Sequence, residues 1–284
     1  MSDLRKPIFI IGAARSGTKF LRACLAASNE IDEVPFDVSY VWRYGNETIN
    51  HDQFSIADIR PNIKKYILET LPNLTVHKSD NSKYYVEKSV SNTLRVEFVN
   101  AVFPEAIFVH LIRDGRAVIE SSIRQWNSSP EICYIFQKLK YFPWRNYRYA
   151  FWFLQNLVNS KINHKKPIWG PRYKEIEQDL KVLKTEEICA KQWAECIAIA
   201  SKQLSQIDSD RVLTINFESF ISEPKQLEIL CDALLIKDKD KVIDYYVKNV
   251  QKNNNVKSIN QLTTTAKNAI EKYAQPILNT LNYH

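Results

Sequence analysis

Two clusters of residues in this 284-residue chain have the types and spacing to hold anions. The first, Gly12-Ala13-Ala14-Arg15-Ser16-Gly17-Thr18-Lys19, follows the apolar run Ile8 to Ile11 and leads into a helix-forming segment. A loop at a helix start offers unsatisfied amides and the positive end of the helix dipole, and glycines let it close tightly on a phosphate-like group. The amides of Ala14, Arg15, Ser16 and Gly17 are expected to form a concave nest, to which Arg15 adds a charged fork, Thr18 a hydroxyl and Lys19 an ammonium. The second cluster is Arg113-Asp114-Gly115, which ends the apolar run Ala106 to Ile112 and opens a helix carrying Ser121. Arg113 at the carboxyl end of a strand and Ser121 more than a turn into the helix could share a second phosphate, at the edge where open α/β sheets bind ligands. The same residues also suit an ordinary strand end with Arg116 paired to Asp114. Two separated anion elements point to a ligand with two phosphate-like groups.

Known phosphate motifs fit less well. No GxGxxG dinucleotide fingerprint is present. Gly12 and Gly17 have the spacing of a nucleotide-hydrolase loop, but Gly17-Thr18-Lys19 stands where G-K-[ST] is required. A nucleotide kinase or NTPase would use Thr18, and Asp114 as a metal carboxylate, yet gives the Arg113 to Ser121 spacing no purpose. A non-catalytic anion-binding protein is a third reading.

These residues must be positioned by a recurring strand-helix alternation. Strands are expected at Ile8 to Gly12, Lys83 to Lys88, Ala106 to Ile112 and Arg211 to Phe217. Helices are expected at Gly17 to Ala27, Ile63 to Leu71, from near Ser91 or Asn92, over Leu94 to Val102 and Arg116 to Arg124, and from Pro224. That grammar predicts an α/β fold in three layers, a parallel sheet flanked by helices. Two inserts, at about residues 33–82 and 127–193, interrupt a single domain spanning 1–284. The second insert is rich in aromatics, with Trp144, Trp152 and Trp169, which suit either an amphipathic helix or the walls of a pocket.

Composition narrows the class. The chain is 45% hydrophobic and 25% charged, and its longest apolar run is too short to cross a membrane. No secretion signal is visible, so a cytoplasmic protein is expected, peripheral to a membrane where the acceptor is lipid-linked. Five scattered cysteines read as buried thiols rather than a disulfide framework or zinc site. The net charge of +7 suits an anionic ligand, but the lysines are dispersed among acids, and no nucleic-acid partner is expected.

RSGTKFL at 15 to 21 followed by RDGRAVIES at 113 to 121 resembles the sulfotransferases that use 3′-phosphoadenosine 5′-phosphosulfate (PAPS), especially the carbohydrate and protein sulfotransferase branches. The resemblance covers about residues 8 to 125, and Asn216-Phe217-Glu218 weakly. It implies the P-loop-NTPase-like sulfotransferase fold. It places the 5′-phosphosulfate on Arg15, Ser16, Gly17, Thr18 and Lys19, the 3′-phosphate on Arg113 and Ser121, and Phe20 near the adenine. The histidine base of many cytosolic members is replaced by Val90 in Lys88-Ser89-Val90. No match stands for the segment that completes their 3′-phosphate site, for which Lys252 and Lys257 are loose candidates.

The implied reaction moves a sulfuryl group in line from PAPS to a hydroxyl, without a metal, and releases adenosine 3′,5′-bisphosphate. Arg15, with Lys88 from the adjacent strand, would stabilise charge on the bridging oxygen. A carboxylate or histidine must take the acceptor proton. Asp37, an acid within apolar VPFDVSYVW, is equally suited to capping its own loop, and Glu33, His51 and Asp52 are further candidates. Trp42 and Arg43 in WRYGN and Trp169 and Arg172 in WGPRY pair an indole with an arginine, which suits a carbohydrate or glycoconjugate acceptor or the anchoring of long loops.

Overall fold

A computed structural model describes residues 5–76, 82–128, 142–151, 168–251 and 259–283. Trp152, Cys133, Lys252 and Lys257 lie outside the described residues.

Strands β1 (Lys6–Ile11), β2 (Ile31–Glu33), β3 (Tyr84–Glu87), β4 (Ile107–Ile112) and β5 (Val212–Asn216) form one sheet in the order β2-β3-β1-β4-β5. All four strand pairings are parallel. Their near-continuous apolar runs suit this arrangement, because a parallel sheet is covered on both faces. Ile8 lies opposite Val86 on one side and Ile107 on the other. All five strands therefore deliver their following loops to one edge.

Among the described residues the helices are α1 (Thr18–Leu25), α2 (Ser39–Trp42), α3 (Pro61–Asn73), α4 (Val96–Val102), α5 (Gly115–Trp126), α6 (Ile176–Asp179), α7 (Thr185–Leu204), α8 (Phe217–Ser222), α9 (Lys225–Ala233), α10 (Lys239–Asn249), α11 (Thr264–Tyr273) and α12 (Gln275–Thr280). Local chemistry sets several starts. Pro61 opens α3, the Asp114 carboxylate accepts from the Arg116 amide at α5, and Asn216 Oδ1 accepts from the Ser219 amide at α8.

Strand alternation divides the core. Ile8, Ile10, Val109 and Leu111 pack with Leu21 and Leu25 of α1 and with Phe220, Leu227 and Tyr246 of α8 to α10. Phe9, Ile11, Tyr85 and Phe108 turn to the other face, against Ile63 and Tyr66 of α3, Phe98 of α4 and Leu204 of α7. A third cluster joins Val118 and Ile119 of α5, Trp193 of α7 and Ile270 of α11.

Several expectations change. The 3₁₀ turn Val90–Leu94 precedes α4, so the helix expected from Ser91 or Asn92 starts at Val96. Strand β2 was not expected: three residues, two of them acidic, are too short to show alternation, and they join the sheet through β3. The segment from residue 33 thus begins on a core strand, and α7, which starts inside the second expected insert, packs against the sheet. Cys24, Cys189, Cys196 and Cys231 are buried free thiols, and burial pushes Cys24 up to about 12. Among the described residues no helix is long and apolar enough to cross a membrane.

Candidate functional site

The loops after β1 and β4 leave neighbouring strands at the same edge and are bonded to each other. Arg15 Nε donates to Ser121 Oγ at 2.9 Å, and Arg113 Nη1 donates to the Arg15 carbonyl oxygen at 2.6 Å. Arg15 adopts φ +68, in the left-handed region, so this contact also holds an uncommon backbone geometry. Gly17 has φ +89, and a Cβ there would lie 2.7 Å from Phe217 Cδ2. Phe217, the first residue of α8, also lies beneath Arg113, whose guanidinium carbon is 4.4 Å from the ring centroid. Residues that follow three parallel strands therefore meet at one point of this edge.

The nest differs in one respect from its expected form. The Ser16 amide donates to the Ala13 carbonyl at 3.1 Å, closing a turn instead of facing an anion. The Ser16 hydroxyl is fully buried without a hydrogen-bond partner, and Gly17 caps α1 without a side-chain bond. The first amides of α1 are directed off the helix end, as helix geometry requires. Burial lowers the proton affinity of Arg113; Glu218 opposes the effect and nearby Arg15 adds to it. An orphan hydroxyl, helix-end amides and the guanidinium groups of Arg15 and Arg113 fit an anionic ligand with two charged groups. Thr18 is buried and Lys19 exposed. Phe20 is half-buried and packs against Phe220 and Tyr246 at ring separations of 5.5 and 6.0 Å.

Asp114 and Arg116 form the ordinary strand-end pair, with Arg116 Nη2 2.8 Å from Asp114 Oδ2. The Asp114 amide donates to Glu218 Oε1 at 3.0 Å, and Tyr283 donates its hydroxyl hydrogen to Glu218 Oε2 at 2.7 Å. The carboxylate that a kinase would give to a metal is thus committed to a helix cap and an arginine.

A second cluster lies after β3. Lys88 Nζ is 3.9 Å from Asp37 Oδ2, which also accepts from the Val90 amide at 3.1 Å. Asp37 Oδ1 accepts from the Ser39 amide and from Ser39 Oγ at 2.7 Å. The structure thus replaces the apolar surroundings expected for Asp37 with donors and an ammonium. Behind it stands Glu87, which the sequence reading passed over. It is fully buried, and burial pushes its carboxyl up to about 7 against the opposing bond from Ser89. Ser89 Oγ donates to Glu87 Oε1 and Asn92 Nδ2 donates to Oε2 at 3.1 Å, while the Val38 amide donates to Ser89 Oγ at 3.0 Å. The available signal was an acid immediately before Lys88, inside an otherwise apolar parallel strand.

The other candidates fall elsewhere. Glu33 Oε2 is 3.2 Å from Arg22 Nε. His51 has a buried Nδ1 without a partner, and burial lowers its proton affinity. Trp42 is fully buried against Phe9 and Phe103, which corrects its expected role as an acceptor wall. Arg43 is corrected likewise: it is buried, donates Nη1 to Asp52 Oδ1 at 2.8 Å, and fixes the loop carbonyls of His51 and Ile49. Asp52 is an ionic hub, with Arg95 Nη1 at 3.5 Å and bonds from Ser91 Oγ at 3.0 Å and the Arg172 amide at 2.9 Å. Burial alone would raise the Asp52 carboxyl; Arg95, Arg43 and the Arg172 amide outweigh it and hold it low. Asp52 also donates its amide to the Arg172 carbonyl at 2.7 Å, and Gln192 donates to the carbonyls of Trp169 and Pro171. Trp169 and Arg172 are both half-buried on this pinned loop.

A model of the sulfotransferase family matches residues 41–138, which include Lys88, Arg113 and Ser121. Protein-tyrosine sulfotransferase 1 of Danio rerio is 28% identical over 127 residues, which is 41% of this chain and 35% of that protein. The match thus spans about a third of the relative's length. The sulfotransferase domain from the curacin biosynthetic pathway superposes with a TM-score of 0.57 at 17% identity, over 100% of this chain and 99% of that one. The sulfotransferase STF9 of Mycobacterium avium gives 0.53 at 10% identity, over 98% and 77%. The chain shares the fold of these sulfotransferase structures, an α/β fold built on a parallel sheet.

Proposed function

We propose that the chain transfers a sulfuryl group from PAPS to a hydroxyl acceptor. The observation that carries this reading is the convergence of Arg15, Ser16, Arg113 and Ser121 at the ends of two adjacent parallel strands. PAPS, when bound, supplies the sulfuryl group and departs as adenosine 3′,5′-bisphosphate. Arg15, Ser16 and the amides at the start of α1 hold the 5′ end, in the way phosphate loops of nucleotide hydrolases do, and this is the sense in which the fold is P-loop-NTPase-like. Arg113 and Ser121 hold the 3′-phosphate. Arg15 and Lys88 stabilise charge that grows on the bridging oxygen; a fixed set of donors needs no reorganisation during transfer.

Asp37, beside Lys88 at the same edge, takes the acceptor proton. Glu87 fixes Ser89 and Asn92 beneath it, and through Ser89 the amide of Val38. The loop Trp169 to Arg172, held by Asp52 and Gln192, forms the acceptor side and suits a carbohydrate or glycoconjugate through ring stacking and guanidinium donation. A tyrosine hydroxyl is the second reading, favoured by the match to a protein-tyrosine sulfotransferase.

The test supplies PAPS without metal to oligosaccharides and tyrosine-containing peptides and detects product by mass spectrometry. Sulfated product that is lost in Asp37→Asn and retained in Glu33→Gln and His51→Ala supports the assignment. Magnesium-dependent ATP turnover instead supports a kinase, and nucleotide binding without transfer supports a binding protein.

A further inference from the structure

The geometry points to Arg15 as a positioning residue for the 3′-phosphate, although it belongs to the loop that holds the 5′ end, so that the two phosphate subsites are energetically coupled. This rests on the donor reading above.

Arg15 Nε donates to Ser121 Oγ at 2.9 Å. A serine hydroxyl has one hydrogen and two lone pairs. With a lone pair occupied by the guanidinium, the hydrogen is left to point away from Arg15, toward an acceptor in the crevice. A hydroxyl that accepts from a cation is also a stronger donor, because chained hydrogen bonds polarise one another. Arg15 thus orients and strengthens the serine that meets the 3′-phosphate. The coupling runs in the other direction as well. The Ser121 hydroxyl holds one edge of the guanidinium, which leaves its terminal nitrogens directed by that bond, and Arg113 Nη1 fixes the Arg15 carbonyl at 2.6 Å. The backbone of Arg15, at φ +68, is held in a conformation that side-chain-bearing residues seldom adopt, and these two contacts are what over-determine it. A donor carrying both phosphates therefore meets a braced pair of subsites, and selectivity for the 3′-phosphorylated nucleotide is a property of the brace.

Calorimetric titration with adenosine 3′-phosphate, adenosine 5′-phosphate and adenosine 3′,5′-bisphosphate tests this on the full chain, with thermal unfolding to confirm that each variant is folded. Arg15 is exposed and Ser121→Ala removes one atom, so neither change disturbs the core. Arg15→Ala is expected to weaken adenosine 3′-phosphate at least fivefold, and Ser121→Ala to weaken adenosine 5′-phosphate by a similar factor. Arg15→Lys, which keeps the charge without Nε, should also lose the 3′-phosphate effect, and Ser121→Thr, which keeps the hydroxyl, should restore it. With the bisphosphate, the double variant Arg15→Ala/Ser121→Ala should lose clearly less than the product of the single losses. An adenosine 3′-phosphate affinity in Arg15→Ala within twofold of the parent, or multiplicative losses in the double variant, overturns the coupling while leaving the donor reading intact. A parent protein that binds none of the three nucleotides overturns the donor reading itself.

Discussion

Arg113, the residue just after β4, donates to the backbone carbonyl of Arg15 in the loop that follows β1. The residue assigned to one phosphate thus also shapes the loop assigned to the other. Arg113→Ala is expected to weaken adenosine 3′,5′-bisphosphate by about 1.5 to 3 kcal/mol, the scale of a lost charge-assisted hydrogen bond. It should also slow the single-turnover transfer rate at saturating donor. Nucleotide titration and rapid-quench kinetics measure the two effects separately, and an unchanged affinity would reject the 3′-phosphate assignment.

Gly17 combines a positive φ with a ring at its back. Gly17→Ala should cost about 1 to 3 kcal/mol, since both backbone strain and the Phe217 ring oppose it. Thermal unfolding and bisphosphate titration should show lower stability and weaker binding together. The companion Phe217→Leu makes room for the added methyl and should recover part of the stability loss.

Asp52 ties together the segment after Lys88, the segment around Arg43 and the loop at Arg172. Removing one member of a buried ion pair typically costs about 3 to 5 kcal/mol, so Asp52→Asn should be among the more destabilising substitutions in the chain. The pH dependence follows from the direction of its shift. A carboxyl held low in the fold contributes stability that is present above the ordinary aspartate value of about 3.9 and is lost as pH falls through the lower folded value. Urea unfolding of parent and Asp52→Asn from pH 7 to pH 3 should show the difference between them shrinking at the acid end.

Glu87 has the opposite sign. Its folded carboxyl is raised to about 7, so ionisation disfavours the fold; the cost accumulates as pH rises from the ordinary glutamate range to about 7 and is constant above it. Glu87→Gln should therefore gain stability relative to the parent between about pH 5 and pH 7, by up to about 3 kcal/mol. If the parent-minus-variant difference is flat across that range, Glu87 does not titrate there. Transfer should fall in this variant if Glu87 places the segment that carries Lys88.

The sequence made the central architecture legible because β1 and β4 are buried on both faces and read as mainly apolar runs, β1 after Lys6 and β4 apart from His110, followed at once by glycine-containing turns. The spacing of Arg113 and Ser121 could be read for the same reason: it is local, set by a strand end and the first turns of one helix. What could not be read depends on partners distant in the chain. Strand β2 exists because β3 lies beside it. Trp42 and Arg43 looked like a ligand wall because an indole beside an arginine has the same composition whether it faces solvent or Phe9, Phe103 and Asp52. Asp37 was expected in apolar surroundings, whereas Ser39, Val90 and Lys88 supply it with donors. Glu87 was not singled out, since burial of a single acid leaves no periodic mark.

Phe217 touches both anion elements with different parts of one ring, its edge against Gly17 and its face beneath Arg113. An aromatic ring has fixed dimensions and cannot shorten or stretch, unlike a polar bridge between the same two groups. It therefore acts as a gauge block between the loops, supplied by the start of α8, just after β5, which belongs to neither. Under the proposed donor assignment, the spacing of the two charged groups is set by a rigid hydrocarbon, and the length of the ligand, as much as its charge, becomes a selected quantity.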